Sequence, residues 1–125
     1  MATQSIPREQ WNNFFDSFSR QHEGWLATLE VFDNDIGAQE QAHELPLSGI
    51  SLSSAKDEDS IALMLGKEPG DHITHIIEEP EQVWIEKTAD GVNAALEIES
   101  KDQTKTLLRF RSAMLPELVD GVVFD

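Results

Sequence analysis

Between Val83 and Arg111, apolar and polar residues alternate in three short runs separated by turn signals. Val83, Ile85, Leu96, Ile98, Leu108 and Phe110 fall on one side of the alternation. Trp84, Glu97, Glu99, Arg109 and Arg111 fall on the other. Successive side chains of a strand point to opposite faces, so this pattern predicts two back-to-back hairpins with one buried face. Asp90-Gly91 suits a two-residue turn with φ > 0, which would pair Ala89 with Val92. That register sets Ile85 opposite Leu96, Val83 opposite Ile98 and Trp84 opposite Glu97. A slip of one residue would turn every apolar side chain outward. The third run, Lys105 to Arg111, places Arg109 and Arg111 outward beside Glu97 and Glu99.

Upstream, the period changes. Trp11, Phe14, Phe15 and Phe18 recur at i, i+3, i+4 and i+7, one stripe of an amphipathic helix expected within residues 6–22. Pro7 suits its first turn, Glu9 follows near the positive N-terminus, and the helix should stop by Gly24. Such a stripe reads first as a lid on a sheet, because a short helix is stabilised mainly by the face it buries. Its alternative is a stripe that binds a partner. Strands are expected over Trp25–Phe32, Ala38–Leu45, Ser60–Gly66 and His72–Ile77, with a bend where Pro46 removes a ladder donor and Gly49 permits a bulge. Ser53–Asp59 reads as a polar loop. Past Arg111, a single helical turn over Leu115–Asp120 and an edge strand over Val122–Phe124 are expected.

The predicted architecture is mainly β with one helix, over a single domain of residues 1–125: helix within 6–22, antiparallel meander over 24–111, tail over 112–125. Six or seven short-linked strands and a bent second strand favour a small, partly open barrel of the Sm-like or PRC-like kind. A flat sheet with the helix on one face is the alternative.

Charge narrows the functional classes. With 24 acidic against 9 basic residues the formal net charge is -15, which repels phosphate backbones and anionic lipids, so neither nucleic acid nor membrane is an expected partner. The acidity reads first as a solubility device, and secondly as a surface for a basic partner. There is no cysteine, so disulfides and thiolate metal sites are excluded. No apolar run approaches the ~20 residues of a membrane span. The opening residues have neither a basic nor an apolar segment of a leader, which makes the cytoplasm the expected compartment.

Two constellations carry candidate chemistry. His72 and His75 stand beside Asp71, but three residues apart on a strand they point to opposite faces. A metal site would need a bulge there and His43 or Glu44 from elsewhere, so no cofactor is expected, with a metal on these residues as the alternative. His22-Glu23 reads as a cap or turn at the helix exit. On the outward face, Glu97 and Glu99 lie roughly 7 Å apart at Cα. Paired carboxylates do acid–base work when one is held protonated. Arg109 and Arg111 beside them instead predict a cross-strand ion-pair ladder, of about 0.2–1 kcal/mol per pair. Trp84 on that polar face is a candidate interface anchor, since Trp is enriched at binding hot spots; otherwise its own helix or tail covers it.

Several of these stretches together resemble a family of small bacterial proteins of unknown function. They are the run from Phe15 to Val31 through Arg20-Gln21-His22-Glu23-Gly24-Trp25, then Asp35–Ala38, Glu44–Ile50 and Asp71–His75, and finally Leu96–Ser100 with Leu107–Arg111. The likeness spans about Ile6 to Gly121. It implies a bacterial single-domain protein and brings no catalytic residues with it. On the residues themselves, the expectation is a non-enzymatic protein-interaction domain, self-associating as a homo-oligomer or docking a partner through Trp84, Glu97, Glu99, Arg109 and Arg111. The alternatives are a metal-dependent or acid–base enzyme using His72, His75, His43 and Glu44, and a small-ligand site under the Trp11–Phe18 helix. No phosphate loop, nucleotide fingerprint or Ser-His-Asp set is present.

Overall fold

A computed structural model describes residues 2–33, 35, 37–55, 58–66, 70–89 and 91–110. Eight strands run β1 (Ala2–Ser5), β2 (Leu26–Asp33), β3 (Gly37–Ala55), β4 (Glu58–Leu65), β5 (Ile73–Glu78), β6 (Pro80–Lys87), β7 (Asn93–Ser100) and β8 (Lys105–Phe110). Between β1 and β2 a 3-10 turn, Arg8–Gln10, leads into helix α1, Trp11–Gln21. The strands form one antiparallel sheet in the order β1-β6-β7-β8-β2-β3-β4-β5. It is open, since among the described residues no ladder joins β1 to β5. The protein is thus a mainly β fold with one short helix.

The expected register holds through the middle of the first hairpin: Val83 faces Ile98, Trp84 faces Glu97 and Ile85 faces Leu96. The turn is longer than the Asp90-Gly91 pair implied. Thr88 N–H donates to Val92 O at 2.8 Å and Gly91 N–H to Thr88 O at 2.9 Å, so Ala89 is not paired with Val92. Gly91 has φ +84, as a three-residue hairpin loop requires of its last position. A one-residue shift between Glu86 and Lys87 then restores the register that the alternation demands.

Strand β3 is the hinge of the sheet. Its first half, to Pro46, pairs with β2, and its second half, from Leu47, pairs with β4. Register shifts fall beside Leu29 and at Leu47/Gly49, the last where a bulge was expected. Pro46 does not end the strand: it lacks a donor but its carbonyl accepts Gly66 N–H at 2.8 Å. The expected loop over Ser53–Asp59 is instead strand at both ends, with β3 reaching Ala55 and β4 starting at Glu58. Strand β1 was not expected either. The turn within 67–71 is only partly described, and the tail elements over Leu115–Asp120 and Val122–Phe124 lie outside the described residues.

Helix α1 closes the concave side. Trp11, Phe15 and Phe18 are buried with Leu29, Leu47, Leu63, Ile85, Leu96 and Leu108 in one core, so the aromatic stripe is a lid and not a free partner face. Two contacts pin it. Arg8 donates from Nε and Nη2 to Asp59 Oδ2 on β4, at 3.1 and 2.7 Å. Ser19 Oγ accepts Ile50 N–H at 2.8 Å and donates to Ile50 O at 3.1 Å.

Candidate functional site

Strand alternation fixes what the outer face of the sheet presents. Trp84 is half-buried, paired with Ser5 on one side and Glu97 on the other. Since Ile85 beside it points into the core, Trp84 points away from α1, and the helix does not cover it. It borders a hollow of about 190 Å³ shared with Thr3, Glu86, Ala95, Glu97 and Leu107. The aromatic ring is therefore flanked by two carboxylates, and Leu107 faces Glu97 from β8.

The expected ion-pair ladder does not form as drawn. Arg109 faces Ala95, while Glu97 faces Leu107 and Glu99 faces Lys105. Arg109 turns instead toward β2, its Nη2 lying 2.8 Å from Glu30 Oε1. The angle is outside hydrogen-bond geometry, so that buried oxygen accepts no hydrogen bond from a described residue. The physical reason lies in the order of the strands: β8 sits between β7 and β2, so its outward cation has carboxylates on both sides, and it pairs with the one on β2. Arg111 lies outside the described residues.

The histidines do not converge. His72 is exposed, with Nε2 3.2 Å from Thr74 Oγ1. His75 sits on the inner side of β5, and burial pushes its pKa below the usual histidine value. His43 is exposed, with its Nδ1 3.4 Å from Glu40 Oε1. Glu44 is a kinked position of β3, φ 48, whose N–H donates to Thr28 Oγ1 at 3.2 Å. Among the described residues no group of three or more His, Cys, Asp or Glu is placed to hold a metal ion.

The histidine that the fold does engage is His22, which the sequence presents as a cap or turn at the helix exit. It is the C-cap of α1 and is buried. Its ring stacks on Phe18 at 4.0 Å and Phe110 at 5.4 Å, and meets Trp25 edge-on at 4.5 Å. Nδ1 lies 2.9 Å from Phe18 O, and a carbonyl only accepts, so Nδ1 carries the proton. Nε2 is then an acceptor, filled by Asn93 Nδ2 at 3.1 Å. Burial among aromatic rings lowers the His22 pKa, with the Phe18 carbonyl opposing the shift. The residue that reveals this role, Asn93, is 71 positions away, beyond the reach of any local pattern. Asn93 also lines a cleft of about 610 Å³ that opens along the flank of α1.

No described helix is long and apolar enough to cross a membrane. Compared with known proteins, residues 2–118 match the family model described as a family of unknown function, DUF5335. An uncharacterized protein of the bacterium Aquifex aeolicus (strain VF5) is 35% identical over 118 residues, covering 94% of this chain and 100% of that protein. No solved structure matches the chain. With nearly its whole length matched, the chain belongs to the DUF5335 family.

Proposed function

We propose that the protein is a non-enzymatic interaction domain that docks a basic segment of a partner protein on the outer face of β6 and β7. The observation that carries this reading is Trp84: a large aromatic, half-buried on the solvent side of the sheet, with Glu86 and Glu97 around the same hollow. An aromatic floor with a carboxylate rim suits an apolar anchor next to Lys or Arg. Glu99, farther along β7, extends the acidic rim, while Arg109 is held by Glu30 and does not oppose a cation. A second copy of the chain is the rival occupant, and a formal charge of -15 on each copy works against it.

The test is a calorimetric titration of the full chain with an extended peptide alternating Lys and Val, set against its Glu-Val counterpart. Binding of the Lys peptide alone, weakened about tenfold or more by Trp84→Ala, is the expected result. Equal binding of both peptides, or indifference to Trp84→Ala, refutes the reading. Light scattering that shows a dimer dissolved by Trp84→Ala assigns the face to a second copy and refutes it equally.

A further inference from the structure

We propose that the cleft along α1 is a binding site for a small organic carboxylate with an apolar body. The cleft encloses about 610 Å³, within the size range of small-molecule sites. What distinguishes it is polarity in the wrong place for a core. Lys87 and Asn93 face each other across the β6–β7 ladder, and Gln4 faces Ile85 across the β1–β6 ladder. Counting outward from Ile85, which is buried, all three occupy positions on the concave face, where the other strands carry Leu, Ile and Val. On α1 and the turn that leads into it, a polar stripe through Gln10, Ser17 and Gln21 borders the same cleft. Two elements thus turn their polar sides toward each other and leave a gap between them.

The chemistry of the lining selects the ligand. Although 24 of the 125 residues are acidic, no described lining residue is, and Lys87 is the one charged side chain among them. Carboxamides supply neutral N–H donors, and an ammonium beside them supplies the countercharge for an anion. Of the amides, Asn93 is held in place by its bond to the buried His22, which orients it before any ligand arrives. None of the other polar side chains named here has a hydrogen-bond partner among the described residues, so they are available. Phe14 and Phe18 provide the apolar wall. A polyanion would find too few cations here, and an amine would meet Lys87.

The experiment is a titration of the full-length, isotope-labelled chain with 4-phenylbutyrate, 4-phenylbutanol and 4-phenylbutylamine, followed by NMR of the side-chain amide signals. With the carboxylate, the NH2 signals of Asn93, Gln10 and Gln21 should shift together along one saturating curve. Lys87→Met should weaken that binding about tenfold or more, the loss expected for a charge-assisted hydrogen bond, and Lys87→Arg should restore most of it. The Lys87→Met chain should bind the alcohol as the parent does. Amide signals unmoved at millimolar carboxylate, equal affinity for the amine, or affinity unchanged in Lys87→Met would each overturn the assignment. Because Trp84 lies on the opposite face, failure here leaves the docking surface untouched.

Discussion

Removing one oxygen should loosen the helix from the sheet. Ile50 faces Leu63 on β4, and both its N–H and its C=O engage Ser19 Oγ. On that side of β3 strand β2 has already ended, its last pair being Leu26 with Pro46. Ser19 therefore stands where a further strand would supply a donor and an acceptor. Ile50 is buried, 5% exposed, so Ser19→Ala leaves two backbone groups without this partner. Each such group costs about 1–3 kcal/mol when water cannot replace the bond. Ser19 itself is only half-buried, so water recovers part of the loss and about 2 kcal/mol is expected. For a chain of this length that corresponds to a fall in Tm of roughly 6–10 °C. Thermal melts by circular dichroism measure it, with Ser19→Thr restoring most of the stability and Asn12→Ala, exposed on the same helix, changing little. Hydrogen exchange adds a local readout, because the Ile50 amide should lose protection ahead of the amides of β7. A Ser19→Ala melt within about 2 °C of the parent, with Ile50 still protected, refutes the account.

Three further outcomes follow from the packing. The folded state keeps His22 neutral, its pKa lowered by burial, so the unfolded chain binds protons more readily below about pH 6.5. Stability contributed by His22 is therefore complete above that pH and lost as the pH falls toward the folded-state value. Urea midpoints between pH 5 and 7.5 should rise with pH, and His22→Phe should shrink that rise without abolishing it, because burial lowers His75 in the same direction. Gly66 has φ +99, and a Cβ there would sit 2.5 Å from the Asp71 carbonyl oxygen. Gly66→Ala should thus cost about 3 kcal/mol or more, read as a lowered urea midpoint or loss of soluble protein. Arg8→Ala breaks an ion pair whose side chains are 49% and 27% exposed, so its cost should stay at or below about 1 kcal/mol. Since bonds from Ser54 and Arg8 hold Asp59 below the usual carboxylate range, that contribution is present above about pH 4 and fades as the pH falls further, which an acid titration of both proteins checks.

The sheet's central hairpin was legible because one period carries it: Val83, Ile85, Leu96 and Ile98 cannot be buried together in any other register. What escaped the sequence has no period. Strand β1, Ala-Thr-Gln-Ser, pairs at an edge and carries no apolar face of its own. Ser51, Ser53 and Ser54 are all exposed where β3 and β4 extend past the core, so a genuine hairpin arm looked like a loop. Arg109 has the alternation expected of it, yet its partner depends on strand order, which local pattern does not encode. Ser19 and His22 act through Ile50 and Asn93, contacts 31 and 71 residues away. Ser19 lies on the short helix whose apolar stripe was plain, and His22 caps its C-terminal end. The stripe says that the helix is covered, and only the fold says which polar groups on its flanks are held and which are left facing a cleft.

The two proposed sites differ in sign, and ionic strength separates them. A chain of net charge -15 sets up a negative potential that extends about 8 Å from the surface at physiological salt and farther in dilute buffer. A basic peptide approaching Trp84 is drawn in by that field and by Glu86 and Glu97, so its affinity should fall as salt is added. A carboxylate approaching Lys87 is repelled by the same field until it is within reach of the ammonium. Added salt weakens the repulsion from distant carboxylates more than it weakens a contact made inside a partly enclosed cleft. Affinity for 4-phenylbutyrate should therefore hold or rise over the range of salt in which the Lys-Val peptide is lost. If both ligands weaken in parallel, the cleft is not shielding its contact, and Lys87 acts only as one more surface charge.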